Sequence, residues 1–176
     1  MRLPAWTQDL APRNRELVAA VEARRGGALL NLDRMLLWSE PLARAWNGYL
    51  RAIRTELALS PFLRELAICV VARLTGAQYE YHHHAPELKK AGATEAQLGV
   101  LDDPDAAASS PLYDELQRTV IRFAIASTRD VRIPDEVFDE LKRRLPPNEL
   151  VELVAATATY NMVARFLVAL DITPEH

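Results

Sequence analysis

The stretch "RELAICVVARLTGAQYEYHHHAPELKKAGATEAQL", residues 64–98, decides the fold. Its first part, "LAICVV" at 66–71, has the composition of a buried strand. The same run extends back to Ser60-Pro61 and forward through Ala72-Arg73-Leu74, which is too long for a typical buried strand. A serine followed by proline marks a helix start, because proline needs no donor at the first helical position. The run therefore reads as a helix over 60–75, and Thr75-Gly76 links it to a second helix over 77–91. Gly92 fits a helix stop, and Thr94-Glu95-Ala96-Gln97 fits a capping box that opens a third helix.

Working outward, the same signals fill the chain with helices. Only 6 glycines occur, and alternating β-branched runs are scarce. Helices are expected over 13–25, 32–38, 41–57, 110–128, 134–144 and 147–170, besides 60–75, 77–91 and 94–101. Ser110-Pro111 reads as another capped start, and "DDPDAAASS" (102–110) as the clearest loop. The last helix, 147–170, is apolar around much of its circumference through Leu150, Val151, Leu153, Val154, Met162, Val163, Phe166 and Leu167. Such a helix is buried on most sides, in the core or between subunits.

At 176 residues the chain reads as one domain with room for a sizeable core. A net charge of -3 excludes the broad basic face of a nucleic-acid binder. The Arg24-Arg25, Lys89-Lys90 and Arg143-Arg144 pairs read as solvated helix faces. The single cysteine, Cys69, leaves no intramolecular disulfide and no CxxC motif. The N-terminus shows no secretory h-region, and no run approaches about 18 uninterrupted apolar residues. A cytoplasmic protein with no membrane or nucleic-acid partner is expected.

Three histidines in a row, His82, His83 and His84, admit three readings. Successive helical residues turn by about 100°, so the three fan over about 200° and cannot share one ion. Glu80 and His83 form one E-x-x-H pair, but no second pair accompanies it, so no metal is expected. The second reading is proton chemistry. Glu80 and His84 are surface neighbours four apart, and Glu65, set among apolar residues, would need a partner if it faced inward. The third is a polar helix end with no chemistry, marked by Pro86, whose ring denies the His82 carbonyl its hydrogen bond.

Residues 64–98 resemble the core motif of the carboxymuconolactone decarboxylase / alkylhydroperoxidase D-like superfamily. The likeness lies in the R-E-L opening, the T-G-x-x-Y-E turn, the histidine and the A-G stop before a short capped helix. The flanking "LNLDRMLLWSEPLARAWNGYLRAIR" (30–54) and "YNMVARFL" (160–167) are similar to the longer members. The resemblance implies an all-α, single-domain helical bundle over 1–176, with its core motif at 60–101 and helices 60–75 and 77–91 packed antiparallel. It also implies a homo-oligomer, a trimer or hexamer.

In the redox branch a glutamate is followed by cysteines twelve and fifteen residues on and a histidine nineteen on. From Glu65 those positions are Ala77, Glu80 and His84, so the glutamate and histidine are present and both cysteines are missing. Cys69 falls mid-helix and reads as a small buried hydrophobe. Peroxide reduction of that kind needs an attacking and a resolving thiol, so an antioxidant thiol peroxidase is disfavoured. The resemblance then implies a cofactor-independent acid/base enzyme on a small organic acid or lactone. Its catalytic set would be His84, Glu65 to orient it, and Glu80 as a second carboxylate in the place of a lost cysteine. Tyr79, His83, Asn161 and Arg165 are the weaker substrate-binding candidates, and a non-catalytic ligand-binding oligomer is the remaining alternative.

Overall fold

Every regular element in the structure, a computed structural model that describes residues 1–175, is an α-helix, with no strand among the described residues. In chain order they are α1 (Arg15–Arg25), α2 (Asn31–Leu36), α3 (Glu40–Thr55), α4 (Pro61–Thr75), α5 (Gln78–Lys90), α6 (Glu95–Val100), α7 (Pro104–Ala107), α8 (Glu115–Arg129), α9 (Asp135–Arg144) and α10 (Pro147–Ala169). They fall into two compact units, residues 58–168 and residues 1–57 with 169–175.

The larger unit is built around α4. Residues Leu66 to Ala72 are each at most 2% exposed, which explains a run with no polar face. α4 packs against both α5 and α8, so it is covered from more than one side. It starts at Pro61 and ends on Gly76, whose φ of 69° is left-handed. There the Ala77 amide donates to the Ala72 carbonyl at 3.0 Å, closing the helix as the chain turns into α5. Thr94 caps α6 as expected, its hydroxyl accepting from the Gln97 amide at 3.2 Å.

Most bounds fall within two residues of the sequence reading, and two features depart further. The helix expected from Ser110 begins at Glu115 instead, capped by Asp114, whose carboxylate accepts from the Gln117 amide at 2.8 Å. Ser110 spends its hydroxyl on the Leu112 amide at 3.2 Å, in a turn. The expected loop at 102–110 holds α7, four residues started by Asp103-Pro104. One turn of helix is too short to show a period, although the cap and proline that mark it are the same device seen at Ser60-Pro61.

α10 buries a stripe of Leu150, Leu153, Thr157, Tyr160, Ala164 and Leu167, spaced three and four apart. Its other side leaves Val151, Val154, Met162 and Val168 exposed. By length and composition it is the one helix among the described residues that could cross a membrane, yet half of its most apolar window is buried in the fold.

In the smaller unit the Arg24-Arg25 pair is not a solvated face. Both guanidiniums reach the buried Asp33 carboxylate, Arg25 at 2.8 and 3.1 Å and Arg24 at 3.2 Å, and the Leu30 amide adds a third donor group. With Asp33 only 1% exposed, this charge must be paired where it stands.

Candidate active site

The helix α4 carries Glu65 on the side where α5 carries Glu80 and His84. On α5 the residues Glu80, His84 and Leu88 recur every four positions and form its buried stripe, joined by Tyr79. Of the three consecutive histidines, His82 is exposed, His83 half-buried and His84 buried. The fan of side chains expected from helical geometry thus selects His84 alone for the interior.

His84 Nδ1 lies 2.6 Å from Glu65 Oε2, with both side chains about 5% exposed. The other Glu65 oxygen accepts from Arg64 Nε at 3.1 Å. Burial by itself pushes the Glu65 carboxyl up, but the His84 hydrogen bond and charge, helped by Arg64, outweigh it and hold the group below the usual glutamate range. An ionised carboxylate only accepts, so the Nδ1 nitrogen carries the proton and donates it to Glu65. The imidazole is also held across its ring. Tyr160 of α10 meets it edge-on, ring centroids 4.7 Å apart at 80°.

Glu80 differs in every respect from Glu65. It is 1% exposed, and neither carboxyl oxygen has a hydrogen-bond partner among the described residues. Burial without a compensating cation pushes its carboxyl well above the usual range and favours the uncharged form. Cys69 is buried too. Desolvation, with the nearby Glu65 and Glu80 carboxyls adding to it, pushes its thiol well up, which leaves a poor nucleophile.

The weaker candidates are distributed differently. Tyr79 is buried and its ring tilts against His83, with centroids 4.5 Å apart. Tyr81 lies under the Arg73 guanidinium at 3.4 Å. On α10, the exposed Arg165 donates to the Asn161 carbonyl and side-chain oxygens at 2.9 and 3.0 Å. The Asn161 amide nitrogen donates in turn to Thr128 and to the Thr157 carbonyl. That pair spends its hydrogen bonds on its own helix and on α8. Among the described residues no three His, Cys, Asp or Glu side chains gather into a metal-holding group.

Sequence reasoning missed two members of the site. Arg64 sits next to Glu65 in the R-E-L opening, so its proximity was legible though its role was not. Tyr160 opens the "YNMVARFL" stretch, but only the register of α10 against α5 shows that its ring meets His84.

Residues 40–112 match the model of the carboxymuconolactone decarboxylase family. Among curated proteins none matches in sequence. The fold is similar to that of a cysteine-to-alanine variant of the debrominase Bmp8 in complex with 2,3,4-tribromopyrrole. That likeness has a TM-score of 0.76 at 21% identity, covering 99% of this chain and 92% of that one. An uncharacterized peroxidase-related protein from Silicibacter sp. TM1040 gives 0.76 at 16% identity, with 99% and 89% covered. A protein of unknown function from Agrobacterium tumefaciens gives 0.65 at 18% identity, with 76% and 90% covered. At such identities these likenesses speak for the fold.

Proposed function

From the chain's membership of the carboxymuconolactone decarboxylase / alkylhydroperoxidase D-like superfamily, we propose that it is a cofactor-independent acid/base enzyme acting on a small organic acid or lactone. The observation that carries this reading is the buried 2.6 Å contact between His84 and Glu65. A histidine whose Nδ1–H is fixed on a carboxylate presents its Nε2 as a base, and returns the proton from the same atom as an acid. Arg64 supports that role by helping to keep Glu65 ionised. The chemistry that needs no more than this is proton transfer at a carbon beside a carbonyl, including protonation of the enolate left when carbon dioxide departs.

A thiol peroxidase is poorly supported by the same residues. Ala77 and Glu80 stand where the cysteines would be, and the Cys69 thiol is buried. Assembly as a homo-oligomer and residence in the cytoplasm go with the family reading.

The test is hydrogen exchange in heavy water over a panel of small lactones and keto acids, read as deuterium uptake beside the carbonyl. The wild-type protein is expected to catalyse exchange on at least one member. Positioned acid/base catalysis is worth about 10²–10⁴-fold, so His84→Ala should lose at least about 10²-fold and Glu65→Gln a large part of that. Exchange that persists unchanged in both variants sinks the reading.

A further inference from the structure

Glu80 is a buried carboxyl that nothing among the described residues satisfies. Both oxygens lie out of solvent with no donor or acceptor in reach, and the residue is 1% exposed. An unsatisfied buried polar group is costly, so its position asks for a partner that the chain itself does not supply. Three roles can be weighed. As a metal ligand it would need companions, and among the described residues no three His, Cys, Asp or Glu side chains gather into a metal-holding group. As a second base it would have to be ionised, yet Arg64 is already engaged by Glu65. As a purely structural hydrogen bond it would need a protein partner, and it has none. The third role is donation. A carboxyl kept uncharged by an apolar site is a strong O–H donor toward an oxygen that gains negative charge during reaction.

Its place suits that role. Glu80 precedes His84 by one turn on the buried stripe of α5, the helix that packs on α4, which carries Glu65. With one carboxyl ionised and held by His84 and Arg64, a second ionised one would repel an anionic substrate. An uncharged one attracts it.

We propose that Glu80 is the oxyanion donor of this site, its carboxylic O–H hydrogen-bonding the carbonyl oxygen of a substrate as that oxygen becomes an enolate. The inference rests on the acid/base reading of His84 and names the substrate class more narrowly, as a compound with an enolisable carbonyl. In the step, the carbon–hydrogen bond breaks and its proton goes to His84 Nε2. The electron pair moves onto the carbonyl oxygen. The Glu80 proton stays on Glu80 throughout, and the reverse transfer returns the proton from His84 to carbon.

The test uses 4-nitrophenol as a stable phenolate probe of the oxyanion position, followed by its absorbance in the full-length protein. Saturable phenolate binding is expected for wild type. Glu80→Met, close in shape but without a donor, should weaken it by about 10-fold or more, consistent with the loss of one charge-assisted hydrogen bond. Glu80→Gln, which keeps a neutral N–H donor, should fall between. Infrared spectra at neutral pH should show a protonated-carboxyl stretch in wild type that is missing from Glu80→Gln. His84→Ala should retain phenolate binding while losing exchange, so a failure of the acid/base reading shows in exchange and a failure of this one in binding. Absence of phenolate binding in wild type, equal binding by Glu80→Met, or no protonated-carboxyl band would each overturn the assignment.

Discussion

Glu65 and Glu80 are chemically identical side chains on adjacent helices, and their surroundings push their carboxyl pKa in opposite directions. The consequence is a pair of pH dependences of opposite sign. Glu80 in the folded protein titrates well above the usual 4.5, so from about pH 4.5 upward the folded state holds a proton that the unfolded chain has released. Stability therefore falls as pH rises through that window, by up to about 1.4 kcal/mol per pH unit for the one proton. Glu65 is shifted downward from 4.5, so its contribution is present above that pH and is lost on acidification through its folded value. Denaturant unfolding of Glu80→Gln between pH 5 and 8 should show a flatter loss of stability than wild type, and an equal slope would contradict the buried, uncharged carboxyl. Replacing Glu80 by methionine removes an unsatisfied group and should raise stability by roughly 1–3 kcal/mol, even as it removes the donor. At this scale the sequence was most informative where spacing sufficed. The nineteen-residue step from Glu65 to His84 pointed to a pair that the structure holds at 2.6 Å. Nothing local could reveal that Glu80 lacks a partner, because that depends on what every neighbouring helix fails to bring. The Arg24-Arg25 clamp on Asp33 was hidden for the same reason, its partner lying eight and nine residues away in another helix.

The corner between α4 and α5 sets the distance between the two halves of the site. It turns on Gly76, with φ at 69°, and α5 ends before Gly92 at 112°. A Cβ at Gly76 would meet nothing within 4 Å, so a substitution there costs backbone strain and no clash. For Gly76→Ala that cost is about 1–2 kcal/mol, the usual penalty for an L-residue held left-handed. A domain of this size should then lose roughly 2–8 °C in thermal midpoint. Calorimetry checks the stability, and exchange activity reads whether the Glu65–His84 contact loosens with the corner. A midpoint unchanged from wild type would mean that the turn is not set by this glycine. Element boundaries were legible where start and stop signals bracketed an apolar run, as in α4 between Ser60-Pro61 and Gly76. They were misread where two start signals lay close together. Ser110-Pro111 and Asp114 with Gln117 both read as caps, and the helix starts at the second, where the Asp114 and Gln117 side chains cap each other's backbone amides.

Across the whole molecule, the long apolar helix α10 has two unlike sides, which composition alone blended into one. Its buried stripe carries Tyr160 to His84, while Val151 and Val154 open onto a groove of about 540 Å³ shared with Phe138, Lys142 and Leu145 of the α9 side. Val151 is 67% exposed, an uncommon place for a large aliphatic side chain next to so much other apolar surface. The homo-oligomer expected from the family resemblance has its direct test at this face. Light scattering on the purified protein should give a mass that is a multiple of the 19.7 kDa chain. Val151→Glu, which places a charge in the middle of the groove and touches none of the stripe that supports His84, should lower that mass toward the single chain. Secondary structure measured by circular dichroism should stay as in wild type, since Val151 is not part of the core. A wild-type mass of one chain would refute the oligomer, and an unchanged mass in Val151→Glu would move its interface to another face. If the charged variant dissociates and keeps its exchange activity, the His84 site is complete within one chain; if activity goes with the mass, a second copy completes it.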